Sequence, residues 1–235
     1  MPLLKNWDRQ RSPQQDVDET GAGPIPPTIT VLAGTNGAGK SSVGGALLVS
    51  LATPFYNPDV ETRALLAANP GLSLEEANAT AWRIGKERLE SAIANRESFN
   101  FETTLGGETI TQLLTRAHAG GVRVRMWYCG LNGVELHIQR VQTRVQRGGH
   151  DIPETKIRAR YDASRRNLCT LLPSLDELAL FDNSIDADPH RGRPPRPLKL
   201  LHFRDGQLLY RTASMPAWAK PIAAVALSLA GAPRS

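Results

Sequence analysis

The sequence predicts an α/β fold, a three-layer sandwich built on a mainly parallel sheet and finished by a C-terminal β-hairpin. Three observations predict it. Short β-rich apolar runs alternate with longer stretches of helical periodicity, which is the pattern of strands joined by crossover helices. The first of these runs enters a glycine-rich turn and then a helical stretch. Near the end, Asp205-Gly206 separates two apolar runs, a two-residue hairpin signal.

Taken in order, residues 1–27 are rich in Gln, Asp, Arg and Pro and end in Gly-Ala-Gly-Pro-Ile-Pro-Pro, which reads as a disordered arm. Residues 29–33 form the first strand and residues 40–51 the first helix. A second short strand, 54–56, ends at Asn57-Pro58-Asp59, beside the first strand, and a short helix follows. Ser73-Leu74-Glu75-Glu76 is a capping box that opens a long helix as far as residue 96. Its apolar stripe is Ala77, Ala81, Ile84, Leu89, Ala92 and Ile93. Strand three is 98–102; the helix from Glu108 ends at Gly120-Gly121, a C-cap signal. Strand four is 122–128, helices cover 134–147 and 153–172, and strand five, 178–181, ends at Asp182-Asn183-Ser184. The hairpin strands are 198–203 and 207–212, and the alanine-rich residues after Trp218 give no reading. The expected organisation is an arm (1–27), one domain (28–219) and a tail (220–235).

A chain of 235 residues with 40 % hydrophobic and 22 % charged side chains can bury a substantial core, which excludes a mainly disordered protein. Its apolar runs are too short for a membrane span, and the N-terminus lacks the apolar core of a signal peptide. The expectation is a cytoplasmic protein with no membrane partner. Cys129 and Cys169 are too few for a disulfide framework and match no zinc spacing, so they read as buried thiols in a reducing compartment. A net charge of +5 and a pI near 9.5 favour anionic partners. Aromatic content is only 6 %, and the arginines gather in 140–166 and 191–196. That distribution suits a bound phosphate group better than a nucleic-acid polymer.

Gly34-Thr35-Asn36-Gly37-Ala38-Gly39-Lys40-Ser41 fits the phosphate-cradling pattern G-x-x-x-x-G-K-[ST], with a strand before it and a helix after it. Glycines let successive N–H groups converge on phosphates at a helix N-terminus. The expected ATP site is therefore Gly34 to Ser42, with Lys40 reaching the β- and γ-phosphates and Ser41 ligating Mg²⁺. The competing reading is a glycine-rich turn without a ligand. The chain lacks the guanine-reading Asn-Lys-x-Asp and the Leu-Ser-Gly-Gly-Gln signature, which argues against a GTPase and a transporter ATPase. A compact P-loop NTPase fold with a helical, arginine-bearing lid looks like a small-molecule kinase.

Asp59, at a strand end, can accept a proton from an attacking hydroxyl; equally, it can cap the helix that follows. Glu102 and Thr104 close the third strand, and Glu102 could also orient a magnesium-bound water. Arg140, Arg144 and Arg147 stand at i, i+4 and i+7, on one helix face. Either a triphosphate sits opposite them or they form a solvated charged face. Arg158, Arg160, Arg165 and Arg166 read as surface or structural arginines, and His150 as a turn residue. Asp182 fits a magnesium-bound water and a structural role equally well.

The chain resembles the zeta-toxin family of P-loop kinases, and more closely its branch of stand-alone kinases. The resemblance rests on the glycine-rich motif, Asn57-Pro58-Asp59, Phe101-Glu102-Thr103-Thr104, the run from Arg140-Val141 to Arg147, Gly148-Gly149-His150-Asp151-Ile152-Pro153-Glu154 and Phe181-Asp182-Asn183-Ser184. It extends from about Thr28 to Trp218. It implies ATP-dependent phosphorylation of a hydroxyl, in known members on a UDP-N-acetyl-sugar and in some relatives on NAD. By resemblance Asp59 is the catalytic base, Glu102 and Thr104 hold the acceptor, and Arg140 and Arg147 contact the transferring phosphate, with Arg144 in reserve. A small antitoxin protein is the implied partner beside the small-molecule hydroxyl substrate. One departure stands out: Leu105-Gly106-Gly107-Glu108 lies where the family places a basic residue. The alternatives left open are an ATP-binding regulatory module and a kinase for NAD or for nucleic-acid ends.

Overall fold

The structure, a computed structural model, describes residues 26–40, 55–185 and 197–232. The helix expected over 40–51, Ser41 and Ser42 within it, the arm up to residue 25, and Arg191, Arg193 and Arg196 lie outside or largely outside those residues. Seven strands are described: β1 (Thr28–Ala33), β2 (Phe55–Tyr56), β3 (Phe99–Thr103), β4 (Arg123–Gly130), β5 (Glu177–Asp182), β6 (Leu198–Arg204) and β7 (Gln207–Arg211). Six α-helices accompany them: α1 (Pro58–Ala68), α2 (Leu74–Asn95), α3 (Glu108–Ala119), α4 (Val134–Gln146), α5 (Glu154–Leu171) and α6 (Lys220–Gly231).

The strand order is β2-β3-β1-β4-β5-β6-β7, parallel through β5 and antiparallel at β6 and β7. Parallel strands are buried on both faces, which is why β1 reads as an unbroken apolar run and why Ile29, Val31, Leu32 and Ala33 are buried. The expected neighbour of β1 was the second strand. In the sheet β3 lies between them, so Asp59 follows an edge strand two places from the P-loop strand. From β1 the chain goes out to the edge strand β2, returns to β3 on that side of β1 and then crosses to β4 on the other side, and such a switch point opens a crevice at the strand C-termini. Ala33 is in register with both Thr103 and Tyr128, so β1 and β3 finish level and β4 runs on to Gly130 beside β5.

The capping box forms as expected: the Ser73 hydroxyl accepts from Glu76 N–H, and the Glu76 carboxylate accepts from Ser73 N–H. The β6–β7 turn has positive φ at Asp205 and Gly206, the geometry of a two-residue hairpin. The alanine-rich C-terminal residues form α6, which adds Ile222, Ala223 and Ala226 to the main core. Helices α4 and α5 share a second, smaller core of Ile138, Val141, Ile152 and Ile157. This packs the arginine-bearing helix against the start of α5, while Leu168 and Leu171 at the other end of α5 join the main core. Among the described residues no helix is long and apolar enough to cross a membrane.

Candidate active site

The glycine-rich loop follows β1 directly, and Gly34 donates its N–H to the Thr103 carbonyl at 3.2 Å, tying the loop to the end of β3. Gly34, Gly37 and Gly39 all have positive φ. At Gly37 a Cβ would stand 2.6 Å from the His137 carbonyl oxygen, so glycine is required there for the loop to lie against α4. Below the loop, the Ala38 carbonyl accepts from Cys129 Sγ at 3.1 Å and from Asn183 Nδ2 at 3.0 Å. Burial pushes the Cys129 thiol up to about 12, against the nearby Lys40 and Arg140 charges, so it stays protonated and donates. Cys169 is only half-buried, unlike the expectation for both cysteines.

His137 Nδ1 lies 2.8 Å from the Asn36 carbonyl, which can only accept, so Nδ1 carries the proton. Nε2 is buried with no hydrogen-bond partner among the described residues. Burial, with Lys40, Arg140 and Arg165 adding to it, pushes the imidazole down to about 4. The ring is thus neutral in the fold, whereas the unfolded chain takes up a proton near pH 6.5. Stability carried by His137 is complete above pH 6.5 and falls as pH drops toward 4, by about 3 kcal/mol over the window. Urea unfolding midpoints should show His137→Gln losing less stability than wild type between those pH values. Parallel curves would mean that the ring takes up its proton in the fold as readily as in the unfolded chain.

Lys40 is buried; Nζ donates to the Gly34 carbonyl at 2.8 Å and pairs with Glu102 Oε1 at 3.4 Å. Asn57 completes the chain. Its side-chain oxygen caps α1, accepting from Asp59 N–H at 2.8 Å and Val60 N–H at 3.3 Å, and its amide nitrogen donates to Glu102 Oε2 at 3.0 Å. Since Asn57 is the cap, the alternative role considered for Asp59 is taken, and the Asp59 carboxylate lines the cleft. Lys40, Asp59, Glu102 and Thr104 border one cavity of about 550 Å³.

A second cavity, of about 1210 Å³, is bordered by Arg140, Arg144 and Arg147, and the two meet at Asp59, Leu74, Glu102 and His150. The three arginines differ. Arg140 is part-buried, with its guanidinium close to Gly39 of the loop. Arg144 donates to the His150 carbonyl at 3.1 Å and packs against Gly149, holding the turn after α4, while Arg147 is exposed at the helix end. Asp182 has both oxygens engaged, accepting from Ser184 N–H at 2.6 Å and Trp218 Nε1–H at 2.8 Å, which is a structural role.

Of the two readings the sequence leaves for Arg160, surface or structural, the structure rules out the surface one. Arg160 reaches the cleft from α5 and donates to Asn36 Oδ1 of the loop at 2.8 Å. Burial pushes its pKa down while the Asp59 carboxylate acts to raise it. Gly106 makes room for its stem, since a Cβ there would come within 2.9 Å of Arg160 Cγ. The signal was present in the helix pattern: Arg160 falls on the buried stripe Ile157, Ser164, Leu168 and Leu171, three residues after the first and four before the second. Arg158, by contrast, forks outward to Glu135 and Glu154, and Arg165 lies over the Tyr161 ring.

The zeta toxin family model matches residues 15–185. A Haemophilus influenzae protein, described as uncharacterized, is 32 % identical over 128 residues, covering 54 % of this chain and 88 % of that one. Among solved structures, the AvrRxo1-ORF1:ORF2 complex with ATP aligns at TM-score 0.60 and 18 % identity over 86 % of this chain. This chain spans only 64 % of that protein's length. The PezAT toxin-antitoxin system of Streptococcus pneumoniae aligns at TM-score 0.51 and 14 % identity, over 89 % of this chain and 80 % of that one. These two likenesses bear on the fold. The family match spans well over half the chain, and with it the conclusion is direct: this protein belongs to the zeta toxin family, with a P-loop kinase fold.

Proposed function

We propose that the protein is an ATP-dependent kinase that phosphorylates a neutral hydroxyl, of the kind carried by a sugar nucleotide such as UDP-N-acetylglucosamine. The observation that carries this reading is the convergence of Lys40, Asp59, Glu102 and Arg160 on one cavity at the C-terminal edge of the sheet. The loop geometry suits a triphosphate: positive-φ glycines and a buried lysine that donates back to the Gly34 carbonyl. A bound γ-phosphate would compete with Glu102 for the Lys40 ammonium. Mg²⁺, held at Ser41 outside the described residues, would neutralise phosphate charge.

In this reading Asp59 takes the proton of the acceptor hydroxyl as its oxygen forms a bond to the γ-phosphorus and the bond to ADP breaks. Glu102 and Thr104 orient the acceptor; two carboxylates favour hydroxyls that donate hydrogen bonds and repel a phosphate monoester. Arg140, Arg147 and Arg160 stabilise charge on the transferring oxygens. Replacing Arg160 with alanine should lower kcat by about two to three powers of ten with little change in ATP affinity. An unchanged kcat would return Arg160 to a purely structural place. A small antitoxin protein is the proposed macromolecular partner, in line with the family and with the toxin-antitoxin system named for PezAT.

The test is a panel of UDP-N-acetylglucosamine, NAD and a 5′-hydroxyl oligonucleotide, each with ATP and Mg²⁺, read for a product heavier by one phosphate. Transfer to the sugar nucleotide supports the full reading; transfer to another member keeps the kinase and replaces the acceptor.

A further inference from the structure

Gly34, Asn36 and Ala38 of the glycine-rich loop each present the carbonyl to a side chain. Gly34 is held by Lys40 of the motif itself, but the other two are held from outside it. The Asn36 carbonyl accepts from His137 Nδ1–H of α4 at 2.8 Å, and the Ala38 carbonyl accepts from Asn183 Nδ2 and Cys129 Sγ. A planar trans peptide points its C=O and the next residue's N–H in opposite directions, and none of the described peptide bonds is cis. Fixing the Asn36 carbonyl on α4 therefore turns the Gly37 N–H away from α4. Fixing the Ala38 carbonyl on residues at the ends of β4 and β5 turns the Gly39 N–H away from the sheet.

Packing alone does not account for an imidazole at position 137. The ring is 1 % exposed and meets Tyr161 edge-on, centroids 5.4 Å apart, while Nε2 is buried without a hydrogen-bond partner among the described residues. A buried polar atom left unpaired costs stability, and an apolar ring would keep the contact with Tyr161 without that cost. What the imidazole adds is the bond to the loop. Asn183 belongs to Phe181-Asp182-Asn183-Ser184, a motif in which the sequence gives it no role of its own. Its N–H donates to the Gly130 carbonyl at 3.0 Å, and Asp182 before it is tied on both oxygens. The Asn183 amide is thereby fixed against Gly39, where a Cβ would overlap it.

We infer that His137 and Asn183 are positioning residues of the nucleotide site: they hold the Asn36–Gly37 and Ala38–Gly39 peptides so that the Gly37 and Gly39 N–H groups face the phosphates of ATP. This rests on the reading of the loop as a nucleotide cradle, and it needs neither phosphoryl transfer nor any particular acceptor.

The experiment is calorimetric binding of ATP and of tripolyphosphate, each with Mg²⁺, to the full chain, with thermal unfolding of every variant alongside. His137→Phe keeps a ring against Tyr161 and removes the donor, whereas His137→Asn loses the ring and places an amide N–H where Nδ1 stood. The expected results cross. His137→Phe should unfold near the wild-type temperature yet bind both probes about ten- to a hundredfold more weakly, the loss of one hydrogen bond to a charged group. His137→Asn should unfold at a lower temperature and keep most of the affinity. Should His137→Phe fail to fold, His137→Ala, which loses ring and donor together, supplies the contrast with His137→Asn. Asn183→Leu should weaken both probes too, by less, because Cys129 still holds the Ala38 carbonyl. The inference is overturned if folded His137→Phe binds both probes as wild type does, or if His137→Asn loses as much affinity as the variant without a donor. Binding is read without turnover, so the two readings separate. His137-dependent binding with no phosphoryl transfer sinks the kinase and keeps the positioning, and transfer with unaltered binding in His137→Phe does the reverse.

Discussion

Lys40→Ala is expected to lower turnover by about two to three powers of ten and to remove most ATP affinity. The reason is geometric: Nζ is held under the loop by the Gly34 carbonyl and by Glu102, in a site where little water competes with it for charge. The fold should survive, because Glu102 keeps its hydrogen bond from Asn57 and the loop keeps its floor of Cys129 and Asn183. Lys40→Met, which retains the apolar stem, controls for packing. Normal ATP binding in a folded Lys40→Ala protein would mean that the loop is not a phosphate cradle.

Asp59→Asn should reduce kcat by about two to four powers of ten while ATP affinity stays close to wild type. The substitution preserves size and polarity but removes the ability to take a proton. Since Asn57 caps α1, the fold has no need of the Asp59 carboxylate at the helix start, and stability should barely change. That separation makes the result interpretable. If kcat is unchanged, the base is another group, and Glu102, the second carboxylate at the junction of the two cavities, becomes the candidate to test by Glu102→Gln.

Much of the fold is legible in the sequence where local chemistry decides it. The glycine-rich loop, the Ser73 capping box and the Asp205-Gly206 turn each prescribe a backbone geometry within a few residues, and the structure has it. Strand order is different, because β3 enters between β1 and β2 through packing among distant residues, which no local run encodes. The C-terminal helix is hard to read in the sequence because alanines give its buried stripe little contrast against its exposed face. At the site, the motif residues were legible but the roles of their neighbours were not. Asn57 stands in the sequence only within the Asn57-Pro58-Asp59 motif, with no role of its own, yet it both caps α1 and braces Glu102. Arg160 sits in a run of arginines that all look alike in one dimension; only its place on the buried stripe of α5 separates it from Arg158.

The most direct test of the central claim follows the terminal phosphate itself. Wild-type protein with Mg²⁺ and ATP labelled in the γ-phosphate, incubated with the acceptor panel, should place the label covalently on an organic product, and Asp59→Asn should leave it on ATP. Label that remains on ATP in wild type, or appears only as inorganic phosphate with every acceptor, would contradict a phosphotransferase built on Lys40, Asp59 and Glu102 and would favour an ATP-binding regulatory module instead.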